Sequence, residues 1–297
     1  MHKITPHLWF DNQAKEAAER YTEAFAPLGP SKIVHTSTIH DTPSGDCDIV
    51  TIELLGQRFM MISAGPYFKF TPAVSFLVAC RTRKEVDGLW AKLSDGGKAM
   101  IELSEQPWSE QYGWVQDRYG LAWQVTLSAE AAGQRITPAL MFVGKQCGRA
   151  EEAMRFYASV FRRAKVGDVL RYGPGEKPDK EGTVKFSMFE IEGMRFAAMD
   201  SARGHDFSFN EAVSFIVNCE SQEEIDYYWS RLSADPAAEQ CGWLKDKFTV
   251  SWQIVPTAMD RMLNSGDEAA VARVTQAFLK MKKFDVAALE RAFAGGR

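Results

Sequence analysis

Long apolar runs are missing from this chain. No stretch approaches the roughly 20 residues needed to cross a bilayer, which excludes a membrane-spanning helix. A basic stripe is missing too. Lys and Arg number 35 against 39 Asp and Glu, net charge −4, with both signs interspersed, so a nucleic-acid partner is not indicated. There are five cysteines and no CxxC pair, which argues against a disulfide framework and for a reducing compartment. Met1-His2-Lys3 leads straight into a strand pattern, so no signal peptide is expected and the cytoplasm is the expected location. P-loop, HExxH and GxSxG motifs are absent. Gly173-Pro174-Gly175-Glu176 leads into Lys177-Pro178-Asp179-Lys180. That is a loop and not the glycine-rich strand-to-helix turn of a nucleotide-type cofactor site.

What the chain has instead is itself, twice. Residues 113–125 read GWVQDRYGLAWQV and residues 242–254 read GWLKDKFTVSWQI. Ile4-Thr5-Pro6-x-Leu8-x-Phe10 returns as Ile136-Thr137-Pro138-x-Leu140-x-Phe142, and Ala73–Cys80 returns as Ala212–Cys219. A period of about 130 residues is the size of a domain and too long for a solenoid repeat. The reading is two tandem domains, 1–128 and 136–257, a small polar linker at 129–135 and a tail at 258–297.

Within each copy a βαβββ pattern occurs twice. Ile4–Phe10 is a strand, and Ala17, Ala18, Tyr21, Ala24 and Phe25 recur at helical spacing within Ala14–Phe25. Lys32–Ile39, Asp48–Leu55 and Arg58–Ile62 follow as strands, the last two joined by a tight turn at Gly56. The pattern restarts at Ala73, with a helix over Lys84–Leu93 and strands over Ala99–Leu103, Gly113–Gln116 and Ala122–Leu127. Copy two is ten residues shorter between its second helix and its GW motif. Two helices, 268–282 and 286–293, make up the tail, which either clamps onto the body or builds a subunit interface.

Paired βαβββ modules resemble the vicinal oxygen chelate superfamily of glyoxalases, extradiol dioxygenases and antibiotic-resistance proteins. Phe10-Asp11, Ala17-Ala18, Tyr21, Gly65-Pro66-x-Phe68-x-Phe70, Ser75-Phe76, Glu85-Val86-Asp87-x-x-Trp90 and Gly113-Trp114-x-x-Asp117-x-x-Gly120-x-x-Trp123-Gln124 resemble its PhnB-like branch, which carries the name 3-demethylubiquinone-9 3-methyltransferase. The resemblance implies an α+β fold of tandem glyoxalase-like domains, each with paired modules forming a cupped mixed sheet, plus the helical tail. It also implies a pseudo-dimer within one chain, with a homodimer as a further option. The superfamily's metal positions fall near Thr5, Met61, Ser75 and Gln124 in copy one and near Thr137, Ala198, Ser214 and Gln253 in copy two. No His, Asp or Glu is among them, so no metal and no cofactor is expected.

His7 shares a strand face with Thr5, while its counterpart in copy two is Ala139. Together with Trp9, Met61, Phe68, Phe70, Trp108, Ser75, Gln124, Ser214 and Gln253, these two are the candidate ligand-binding residues. The aromatics serve either as walls for a flat ligand or as core. His7 and His205 are the candidates for acid–base work. Cys241 lacks an obvious basic partner and is Tyr112 in copy one. Three functions compete. One is metal-independent binding of an aromatic or quinone-like small molecule, the second an enzyme (lyase, isomerase or methyltransferase), and the third a structural duplicate acting through its tail.

Overall fold

The computed structural model describes residues 3–42, 44–128 and 133–296, with Asp41 as backbone only. Most of the expected linker, 129–132, lies outside the described residues. The first copy runs β1 (Ile4–Phe10), α1 (Ala14–Phe25), β2 (Ser31–Thr42), β3 (Gly45–Leu54), β4 (Gln57–Ser63), β5 (Val74–Cys80), α2 (Arg83–Ser94), β6 (Lys98–Gln106), β7 (Ser109–Gln116) and β8 (Ala122–Leu127). The second runs β9 (Ile136–Phe142), α3 (Ala150–Val160), β10 (Ala164–Arg171), β11 (Val184–Ile191), β12 (Met194–Asp200), β13 (Val213–Cys219), α4 (Gln222–Leu232), β14 (Trp243–Lys245) and β15 (Ser251–Pro256). The tail is α5 (Ala258–Leu263), α6 (Glu268–Phe278) and α7 (Val286–Ala294). The helices are amphipathic as their spacing requires: α1 buries Ala14, Ala17, Ala18, Tyr21, Ala24 and Phe25.

The α+β class and the tandem arrangement are as the sequence implies, but neither cup is built within one copy. A seven-stranded sheet has the order β14-β15-β13-β1-β4-β3-β2, and an eight-stranded sheet the order β10-β11-β12-β9-β5-β8-β7-β6. Each sheet therefore takes one module from each copy. The joints are antiparallel pairs of matched strands: β1 on β13, with His7 opposite Ser214, and β9 on β5, with Ala139 opposite Ser75.

An ion pair spans each joint. Arg135, just before β9, reaches Glu85 of the other copy's α2 at 2.6 Å and donates to the carbonyls of Leu28 (2.7 Å) and Ala79 (3.0 Å). Lys3, at the matching place before β1, reaches Glu224 of α4 at 2.8 Å. In each case a cation on one copy meets a helix carboxylate on the other. The Arg135 side chain is only 5% exposed, so removing its partner would strand a buried charge.

Contacts within a copy tie the two sheets to each other. Asp117, in the β7–β8 turn, accepts the Tyr21 hydroxyl from α1 (2.7 Å), the Trp123 indole N–H (2.9 Å) and the backbone N–H groups of Tyr119 and Leu121 (2.9 and 3.0 Å). Asp246 repeats this with Tyr157 (2.7 Å), Trp252 (2.9 Å), Phe248 (2.8 Å) and Val250 (3.1 Å). Trp123 and Trp252 sit at the centre of the core, so the duplicated motif is structural.

The ten residues missing from copy two are those of the β6 edge. The tail fills the gap: Cys241 N–H donates to the Met281 carbonyl (2.8 Å) and Gly242 N–H to the Lys282 carbonyl (2.7 Å). Gly242 has φ +82°, and a Cβ there would lie 2.4 Å from the Phe284 ring, so only glycine admits this docking. The tail thus clamps onto its own chain.

Burial lifts the Asp246 carboxyl from 3.8 to about 6, against the four hydrogen bonds that favour its ionised form. The folded chain holds this proton more tightly than the unfolded one, so the group's contribution falls as pH rises from about 4 to about 6. Asp246→Asn offers one acceptor oxygen and two N–H donors to a site that already has four donors. It is expected to lose about 2 kcal/mol at pH 7. In denaturant melts its stability profile lacks the wild-type decline between pH 4 and 6.

Candidate functional site

The concave face of the seven-stranded sheet encloses a cavity of about 580 Å³, within the size range of small-molecule sites, roughly 300–1,000 Å³. Strand register explains its lining. Ser251, Ser214, His7, Met60, Thr51 and His35 stand side by side across six strands. All but Ser214 line the cavity. One row away are Gln253, Ile216 and Thr5, followed on β4 by Arg58, two residues before Met60. On the other side are Trp9, Ile62, Ile49 and Ser37. The tail closes the cup with Met259, Leu263, Val271, Phe278, Leu279 and Phe284.

Three side-chain atoms on this lining are buried without a hydrogen-bond partner: His7 Nδ1, Ser251 Oγ and Arg58 Nε. Burial pushes the His7 ring down to about 3, so it is neutral at physiological pH. Its ring meets the edge of Trp243, centroids 5.3 Å apart. Trp9 lies edge-on to Phe68 (5.1 Å) and Trp243 (6.0 Å), and its indole N–H is held by the Gly65 carbonyl at 2.9 Å. Gln253 donates to Ser214 Oγ at 2.9 Å. Its amide is thereby fixed, with the side chain on the cavity wall.

The matched cup of the eight-stranded sheet is furnished differently. Ala122, Ala139 and Ala197 replace Ser251, His7 and Met60 in the corresponding row. Tyr112, Trp114, Met141 and Val143, with Leu77, Met100, Ile101, Met199 and Phe207, pack into a cluster over this face. Gln124 is closed on both sides: Tyr112 Oη donates to its oxygen (2.8 Å) and its nitrogen donates to Ser75 Oγ (2.8 Å). Cys241 holds Tyr112's place in the open cup, so Gln253 lacks that donor.

Of the candidates read from the sequence, Thr5, His7, Trp9, Phe68 and Gln253 come together on one cavity. Ser214 stands behind Gln253. Met61 does not face the cavity. Side chains alternate along β4, so Met60 and Ile62 face in while Met61 is fully buried in the core. Phe70 is also core, edge-on to Phe10 at 5.0 Å. Ser75 and Gln124 belong to the other sheet. Trp108 is 62% exposed at the β6–β7 hairpin. His205 sits in a loop, bonded to Ser201 Oγ at 2.8 Å and against Phe207 at 4.8 Å. Cys241 lines the cavity, but burial raises its thiol, leaving it protonated and a poor nucleophile. Arg58 and Ser251 escape a sequence reading. The signal for Ser251 is its place two residues before Gln253, with Ala122 as its counterpart.

The superfamily's divalent metal does not suit this donor set. The two inner rows offer two imidazoles, His7 on β1 and His35 three strands away on β2, with hydroxyls, a carboxamide, a guanidinium and a thioether. Among the described residues no three His, Cys, Asp or Glu side chains gather. Hard divalent ions want carboxylate or several imidazoles.

A cupped, module-paired sheet of this kind is the glyoxalase fold. Glyoxalase I from Zea mays superposes with a TM-score of 0.55 over 86% of this chain and 93% of its own, at 11% identity. The chain belongs to the 3-demethylubiquinone-9 3-methyltransferase family, whose model matches residues 2–126 and again 134–255. The PhnB protein of Bacillus cereus is 37% identical, covering 42% of this chain and 99% of its own, with a TM-score of 0.39. No curated protein matches the chain.

Leaving the Ser251 hydroxyl unpaired costs about 1–3 kcal/mol. Ser251→Ala, which copies Ala122, is therefore expected to stabilise the ligand-free protein by about 1 kcal/mol, read as a higher denaturant midpoint with an unchanged m-value.

Proposed function

We propose that the protein binds one small aromatic molecule, quinone-like or phenolic, in the cup of the seven-stranded sheet, and does so without a metal. One observation carries this reading. His7 Nδ1 and Ser251 Oγ are buried and unpartnered beside a 580 Å³ cavity, while the matched row of the other cup holds alanines. Buried polar groups are normally hydrogen-bonded, and a ligand supplies what the fold leaves out. Trp9, Phe68 and Trp243 give the walls for a ring. The family's name is an activity, but the polar groups of this cup do not favour proton transfer. A ring held at about 3 is too weak a base for general-base work near neutrality. Binding is therefore preferred to an enzymatic role. The five unpaired thiols suit a reducing cytoplasm. Among the described residues no helix is long and apolar enough to cross a membrane.

Because the second cup is filled by its own side chains, titration calorimetry with a panel of phenols and quinones is expected to give one site per chain. Met60→Trp, which crowds the cavity, abolishes that binding while leaving the fold intact by circular dichroism. Two equivalent sites, or unchanged binding in the variant, would put the ligand elsewhere.

A further inference from the structure

Arg58 is the charged group that the fold leaves unanswered. Two Lys or Arg side chains line the cavity, and the other, Lys245, is paired with Glu211 at 2.7 Å. The Arg58 guanidinium makes no hydrogen bond or ion pair with a described residue, and its Nε is cut off from solvent. Two carboxylates stand near by register or lining, Glu53 opposite on β3 and Asp260 on α5; neither forms an ion pair with it. The duplication supplies a control. Arg195, the matching residue on β12, donates to the Gln134 carbonyl at 2.6 Å, so its guanidinium is occupied.

A partly desolvated guanidinium without an acceptor is unfavourable. Its planar donor edge fits a carboxylate bidentately, a pairing stronger than a neutral hydrogen bond. His7 is neutral, so it does not compete for the anion. Along β4 the rows of Arg58 and Ile62 are four residues apart, about 13 Å. Trp9 stands in the Ile62 row. An elongated ligand can therefore place an anionic end on Arg58 and a ring against Trp9 and Trp243, passing His7 and Ser251 between them. We propose that the cup takes an aromatic carboxylate, its carboxylate on Arg58 and its ring on the tryptophans. This deepens the ligand-binding reading of the same cup and rests on it.

The test is calorimetric titration of the full chain at pH 7.5 with 4-hydroxycinnamate and with its primary amide, which has nearly the same shape and no charge. The acid is expected to bind at least tenfold tighter. In Arg58→Gln the preference falls below about threefold, and Arg58→Lys keeps part of it. Melting curves verify that the variants fold; if Arg58→Gln does not, Arg58→Lys and the wild-type comparison decide. Equal binding of acid and amide, or a preference that survives in Arg58→Gln, overturns the carboxylate assignment but leaves ligand binding standing. Binding of neither compound, in a protein that also binds none of the phenols and quinones, overturns both.

Discussion

A carboxylate removed from water has to be surrounded by donors or it will not stay ionised, and the architecture turns on how this chain meets that demand twice. Asp117 and Asp246 each collect a tyrosine from a helix over one sheet, and a tryptophan and two backbone N–H groups from the other. Neither aspartate can be satisfied by one sheet alone. The bond from Tyr21 to Asp117 forms only when α1 lies against the β7–β8 turn, so the carboxylate fixes how the sheets sit back to back. With the convex faces fixed, the concave faces are free to diverge.

The divergence is local and chemically simple. A tyrosine hydroxyl closes one glutamine and is missing over the other. Alanines stand where the open cup has a histidine and a serine. One arginine is tied to a backbone carbonyl and its twin is not. These substitutions leave the shared scaffold untouched while turning one packed interior into a lined cavity. Unpaired buried polar atoms reduce the stability of the fold that holds them.

Much of this was legible in the sequence, because hydrophobic period and turn residues set strands and helices locally. The repeat, the βαβββ order and the shared motifs all follow from such local signals. The exchange of modules was not legible. β5 and β13 have nearly the same sequence, so their own residues do not say which partner they choose. Nor do the ion pairs separate the choices, since Lys3 and Arg135 hold matched places and so do Glu85 and Glu224. Met61 was misplaced for a different reason. A resemblance that places a residue only near a family position is too coarse when side chains alternate, since a one-residue slip moves a side chain from cavity to core. His7, Trp9 and Gln253 needed only one copy to be noticed. Arg58 needed the environment of both copies, since both keep the arginine and differ only in what it touches. The tail's role depended on a deletion elsewhere, whose vacated edge it occupies.

The exchange of modules also has a genetic side. What distinguishes the open cup is written in distant places: the first part of the first repeat, the last part of the second, and the tail that follows it. His7 and Ser251 lie in one row of the sheet, yet they stand 244 positions apart in the sequence. Tandem repeats tend to homogenise by recombination. An exchange that copied residues 113–125 over residues 242–254 would put alanine at position 251 without touching His7. The Ser251 hydroxyl would then be lost, with Trp243 and Gln253 kept, by an event that left each repeat, taken alone, a well-formed sequence. The shortened loop and the tail that fills it make the repeats unequal in length at the point where such an exchange would do the most damage.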